Sequence, residues 1–96
     1  MVKKIVFSEK AEKQRLGILE YYFNETKSKE IPAKIYNEIN SILSLVQQFS
    51  EIGFVLEKDR RVIIKSHYKI LYTIEDNRII VLNIWDTRQD PQNIPL

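Results

Sequence analysis

The hydrophobic period changes once along this 96-residue chain, and that change limits the fold more than any other feature. Before Ser50–Gly53, the residues Ile35, Ile39, Ile42, Leu43 and Val46 recur at helical spacing and form one apolar stripe on a helix running to about Gln48. After it, Arg61–Lys65, Tyr68–Ile74 and Arg78–Trp85 are strand-length and rich in Ile, Val, Tyr and Thr. A stripe on a helix must bury itself against something apolar, and one face of a small sheet is the partner the chain offers.

The rest of the sequence completes both halves. Lys3–Phe7 is short, β-branched and aromatic, and reads as a strand. Ser8 follows as a helix N-cap, with Glu9 where the positive end of the helix dipole favours a carboxylate. Ala11, Leu16, Ile18, Leu19, Tyr22 and Phe23 then predict a first helix over Glu9–Thr26. Lys27–Glu30 is the turn, and Pro32 suits the first turn of the second helix, where no N–H is needed. So short a link predicts an antiparallel helix hairpin. Ser66–His67 and Asp76–Asn77 are tight enough to join the three later strands into an antiparallel meander, which the N-terminal strand joins at one edge. The expected architecture is a single α+β domain over residues 1–96, ordered β-α-α-β-β-β, with the helix hairpin packed on a small antiparallel sheet.

Composition closes off several classes of function. With 44% apolar and 29% charged residues, the chain has the balance of a globular protein rather than a disordered one. The absence of cysteine excludes disulfides, thiolate chemistry and Cys-type zinc sites. A single histidine, His67, removes any His-rich metal site, so neither a metal nor a cofactor is expected. A net charge of +2 is too small to name a partner. Met1–Phe7 is too short an apolar stretch for a signal peptide, and nothing later approaches the ~20 apolar residues of a membrane span. The expectation is a cytoplasmic protein that does not engage the membrane.

Particular residues on this order resemble the RelE/ParE superfamily of bacterial toxins. Ile5-Val6-Phe7-Ser8 followed by Ala11 looks like the family's strand–serine–helix opening, and Leu19 and Tyr22 match an aliphatic and a tyrosine position. Tyr68-Lys69-Ile70-Leu71-Tyr72 resembles its "Tyr-Arg-Ile-x-Tyr" strand, and Ile79–Ile84 its buried final strand. Asp86-Thr87-Arg88-Gln89-Asp90-Pro91 is similar to the "Arg-Arg-x-Pro" exit of ParE-type members. The resemblance implies the toxin of a plasmid-stabilisation type toxin–antitoxin module, held inactive by a cognate antitoxin. ParE-like members block DNA gyrase and are not nucleases, whereas RelE-like members cut mRNA in the ribosome. Whether this chain is an enzyme turns on that choice, which a fold alone does not make.

Under the RelE-like reading, metal-free RNA cleavage needs cations for the phosphorane and a proton carrier. Lys69, Arg61 and Arg88 are the catalytic candidates; Arg61 and Lys65 share one strand face, and Lys69 in the next strand joins them if the register allows. Lys69 stands where the family has its sheet arginine, keeping the charge without the bidentate fork. RelE-like enzymes carry paired basic residues where this chain has Val62, Ile63 and Ile64, and a C-terminal Tyr or His that is missing from Gln89–Leu96. These departures favour the ParE-like reading. His67, in a turn, reads as a solvated surface residue.

Tyr21, Tyr22 and Phe23 are consecutive on a helix and cannot all be buried, which marks them as candidate partner-binding residues for the antitoxin. Tyr68 and Tyr72 share a strand face and read as packing. Trp85 is expected to close the edge of the core, and Asp86 with Arg88 reads as an ordinary surface pair. A further reading is an inactive relative that only binds the antitoxin.

Overall fold

The Ser8 hydroxyl starts the helical half by accepting a hydrogen bond from the Ala11 amide at 3.0 Å, and it donates to the Leu82 carbonyl at 3.1 Å. One side chain thus caps a helix and fastens it to the sheet. The computed structural model describes residues 3–89. The elements are β1 (Lys4–Phe7), α1 (Glu9–Thr26), α2 (Glu30–Gln48), β2 (Phe54–Glu57), β3 (Arg60–Lys65), β4 (Tyr68–Glu75) and β5 (Arg78–Asp86). Helix α1 ends at Lys27, whose left-handed backbone returns its N–H to the Phe23 carbonyl. Pro32 lies in the first turn of α2, where a missing donor removes no helical hydrogen bond.

The sheet runs β1-β5-β4-β3-β2. Strands β2 to β5 pair antiparallel, whereas β1 lies parallel to β5, with Lys4 opposite Arg78 and Phe7 opposite Val81. The buried residues of both helices join Ile63, Tyr68, Ile70, Tyr72, Ile79, Val81 and Ile84 in one core. Ile39, Val46, Tyr68 and Tyr72 are fully buried there, as expected for the helical stripe and for tyrosines used in packing. Arg15 also occupies the α1 stripe, its guanidinium stacked 4.6 Å from the Phe7 ring and 5.6 Å from Tyr36. Leu16 and Phe23 fall off that stripe and are exposed.

The helices, the Ser8 cap, the two hairpin turns and three of the later strands lie where the sequence puts them. Two features of the sheet differ. A fifth strand, β2, is added at the open edge, and all four of its residues are exposed, so it carries no alternation by which to recognise it. The sheet is also mixed rather than wholly antiparallel. The chain from Ser8 to Asn77 acts as one long crossover that returns β5 beside β1 in the same direction, as a parallel pair requires.

Ile39→Ala should cost about 2–5 kcal/mol, because it opens a cavity where α2 meets the sheet. Ile64→Ala, at an exposed position, should stay within about 0.5 kcal/mol of the parent. Urea unfolding followed by circular dichroism checks both.

Candidate functional site

At the end of β5, Asp86 points to the helix side and is only 2% exposed. Its carboxylate accepts a hydrogen bond from the Tyr22 hydroxyl of α1 at 2.5 Å, and from the Arg88 backbone N–H and Nε at 2.9 and 3.1 Å. An Arg88 terminal nitrogen donates to the Tyr68 hydroxyl at 2.9 Å, and the guanidinium lies 5.0 Å from the Tyr22 ring centre. The cluster therefore joins α1, β4, β5 and the turn after β5.

Its electrostatics follow from burial and pairing. Burial raises the Tyr22 phenol, and the hydrogen bond to Asp86 and that residue's charge raise it further, to about 12. Burial opposes the charge on Asp86, yet the hydrogen bonds from Tyr22 and Arg88, with the Arg88 charge, hold its pKa below the ordinary 3.8. Burial lowers Arg88, but Asp86 more than reverses this. Tyr68 is raised by burial despite the Arg88 charge beside it. Near neutral pH both phenols hold their protons, the carboxylate is ionised, and the guanidinium is already matched. The arrangement clamps helix to sheet; an incoming phosphate would have to displace Asp86 to use Arg88 fully.

The cationic residues singled out in the sequence are divided by the register. Arg61 pairs with Tyr72 and Lys65 with Tyr68, on the helix side, whereas Lys69 pairs with Ile64 and Trp85 on the opposite face. Arg61 organises the α2–β2 loop, donating to the Glu51 and Gly53 carbonyls at 3.1 and 2.8 Å. The same loop is held by the Tyr72 hydroxyl, which donates to the Ser50 carbonyl at 2.7 Å and accepts from the Gly53 amide at 2.9 Å. A Cβ at Gly53 would meet that hydroxyl at 2.7 Å. Lys69 lies over the Trp85 ring, 5.2 Å from its centre. His67 sits in the exposed β3–β4 turn. Tyr21 and Phe23 are 46% and 41% exposed, while Tyr22 turns inward to Asp86. Asp90 and Pro91 of the exit motif lie outside the described residues. Among the described residues no three His, Cys, Asp or Glu side chains gather as a metal site, and no helix is long and apolar enough to cross a membrane.

Sequence reasoning missed the burial of Asp86, and it set Trp85 at the edge of the core, whereas Trp85 is buried in a separate small cluster on the face away from the helices. Both follow from one event. Leu71 pairs with Asn83 but Tyr72 with Val81, so Leu82 is an extra residue that exchanges the faces of β5 beyond it. Counting by alternation from Ile79 and Val81 sends Trp85 inward and Asp86 outward, the reverse of what occurs.

Two helices on one face of a five-stranded mixed sheet in this order define the RelE/ParE toxin fold. The chain is similar to the chromosomal ParDE toxin–antitoxin system from P. aeruginosa, with a TM-score of 0.71 at 16% identity, covering 88% of this chain and 96% of that one. It is also similar to the toxin–antitoxin complex RelBE2 from Mycobacterium tuberculosis, with a TM-score of 0.65 at 13% identity, covering 90% and 99%. No curated protein matches the sequence. Residues 5–91 match the family described as the ParE toxin of the type II toxin-antitoxin system, parDE. The chain belongs to that family.

Asp86→Asn should lower stability by about 2 kcal/mol, since it weakens hydrogen bonds made to a charged group. The depressed folded pKa of Asp86 gives stabilisation that is full above pH 3.8 and lost as the pH falls below it, so this acid-dependent part should vanish in the variant. Tyr22 has the opposite sign: its stabilisation is full below pH 10.0 and drains as the pH rises towards about 12. Tyr22→Phe should remove the latest part of the tyrosinate absorbance titration. Chemical unfolding across pH checks the first pair of expectations, and ultraviolet absorbance the last.

Proposed function

We infer that this protein is the growth-inhibiting toxin of a plasmid-stabilisation type module, acting in the cytoplasm by binding DNA gyrase and neutralised by a cognate antitoxin. The observation that carries this reading over the nuclease one is the separation of the cations. Lys69 is on one face of the sheet and Arg61 on the other, while Arg88 is bound to a buried carboxylate. RNA cleavage needs its cations and a proton carrier around one scissile phosphate. Arg61 is engaged with loop carbonyls, and Tyr22 and Tyr68 have pKa values raised away from the range of an effective base. A toxin that acts by protein contact needs none of this machinery.

The similar structures are toxin–antitoxin assemblies, which supports an antitoxin partner for this chain. Tyr21 and Phe23, exposed on α1, are the residues we assign to that contact, and Tyr22 supports them from within by its bond to Asp86.

The test is to induce the protein alone in a bacterium, following growth, new RNA 5′ ends and the supercoiling activity of purified gyrase incubated with the toxin. Growth arrest, loss of supercoiling and no new RNA ends are expected, with toxicity unchanged in Lys69→Ala. Fresh ends within translated codons that disappear in Lys69→Ala would replace this reading with a ribosome-dependent endonuclease. Normal growth would identify an inactive antitoxin-binding relative.

A further inference from the structure

Among the described residues the sheet has two free edges, β1 and β2, and they differ in regularity. β2 breaks its register between Val55 and Glu57 and ends at Lys58, whose φ is 50°. A bulge of this kind is one way in which proteins blunt an edge. β1 keeps an unbroken register with β5 from Lys4 to Phe7. The Lys4 N–H donates to the Asn77 carbonyl at 2.8 Å, and the Ser8 N–H to the Val81 carbonyl at 2.9 Å. Backbone groups of successive strand residues alternate in direction, so Lys4, Val6 and Ser8 face β5 while Lys3, Ile5 and Phe7 face outwards.

Of the outward groups, the Lys3 carbonyl accepts from the Gln47 side chain of α2 at 2.9 Å. The N–H and C=O of Ile5 and of Phe7 have no hydrogen-bond partner among the described residues. Beside them an open groove runs between β1 and α2, lined by Ile5, Phe7, Asn40, Leu43, Ser44 and Gln47. Asn40, Ser44 and Gln47 fall at i, i+4 and i+7, one uncharged stripe along α2.

We propose that this edge pairs with the same edge of a second copy, β1 antiparallel to β1, in a two-fold dimer whose axis passes beside Val6. One register uses all the free groups. With Ile5 opposite Phe7 of the copy, and Phe7 opposite its Ile5, two hydrogen-bonded pairs form and occupy the N–H and C=O of both residues in both copies. Lys3 then lies opposite Glu9 of the copy, which has already turned into α1 and offers no strand N–H. The Lys3 carbonyl loses nothing by this, because Gln47 already fills it. The same register sets the Lys3 ammonium against the copy's Glu9 carboxylate, twice by symmetry. Lys3 Nζ donates to the Asp76 carbonyl at 3.2 Å and has further hydrogens, and the Glu9–Lys13 pair is solvent-exposed. On the helix-free face Val6 stands against Val6 of the copy, and on the helix side the facing α2 stripes carry no charge to repel. A second copy is the occupant because the complementarity is internal: the opposite charges lie three residues to either side of Val6 on one edge. Tyr21 and Phe23 lie more than three turns along α1, about 20 Å from Ser8, so the antitoxin contacts of both copies stay open. The pairing does not depend on what the toxin acts on.

Sedimentation equilibrium of the full chain over a range of concentrations should show the mass rising from 11.5 kDa towards twice that value. The Ile5 and Phe7 amides should gain protection from hydrogen exchange in step. Val6→Glu sets two carboxylates face to face and should weaken association by about tenfold or more. Lys3→Glu and Glu9→Lys should each weaken it when alone, since each places like charges across the axis. An equimolar mixture of these two should recover the association, because every charge then meets its opposite. Far-ultraviolet circular dichroism checks that each variant is folded, and should Val6→Glu fail to fold, the mixture provides the reading. A chain that stays at 11.5 kDa at every concentration overturns the proposal. So does a dimer that a folded Val6→Glu leaves intact, or one whose charge variants do not recover on mixing, because such a dimer uses another face.

Discussion

Between Leu71 and Tyr72 the β4–β5 ladder skips Leu82, at the level where β1 ends and α1 begins. The Ser8 amide donates to the Val81 carbonyl and the Ser8 hydroxyl to the Leu82 carbonyl, so the edge of β5 passes from a strand to a helix across the bulge. Further along, the Gln14 side chain of α1 accepts from the Ile84 amide at 2.9 Å, standing in for the missing strand. The face exchange that follows turns Asp86 towards α1 and Trp85 away from it. The tyrosine–carboxylate–arginine clamp and the second apolar cluster are thus two results of one irregularity.

The cations show how much a strand register can decide. Arg61, Lys69 and Arg88 have the same charge and lie within one meander, yet each meets a different environment. Arg61 ties a loop through backbone carbonyls, Lys69 rests on an indole ring, and Arg88 neutralises a buried carboxylate. A phosphate-binding surface requires such groups to converge. Their dispersal, together with membership of the ParE family, is what favours contact with a protein target over RNA cleavage.

The two faces of the sheet are also finished differently. Under the helices, aliphatic residues and two buried tyrosines fill a continuous core, and the tyrosine hydroxyls find partners in Arg88 and in the Ser50–Gly53 loop. On the other face a small cluster around Trp85 has equally low exposure, but its indole N–H has no hydrogen-bond partner among the described residues.

The sequence by itself determined the two helices and their boundaries, the N-cap at Ser8, the hairpin turns and the inward stripe of α2, because each depends on local period and local backbone chemistry. It also carried the resemblance to the toxin superfamily. Tertiary structure alone decided the rest. Strand β2 exists only because β3 offers an edge, as its exposed residues have no buried face to give a period. The parallel pairing of β1 with β5 joins segments some seventy residues apart, and no local pattern encodes the direction of such a pair. The inward turn of Asp86 and the separation of Lys69 from Arg61 depend on a bulge and a register, and these are set by which backbone groups find partners across the sheet rather than by the side chains along a single strand.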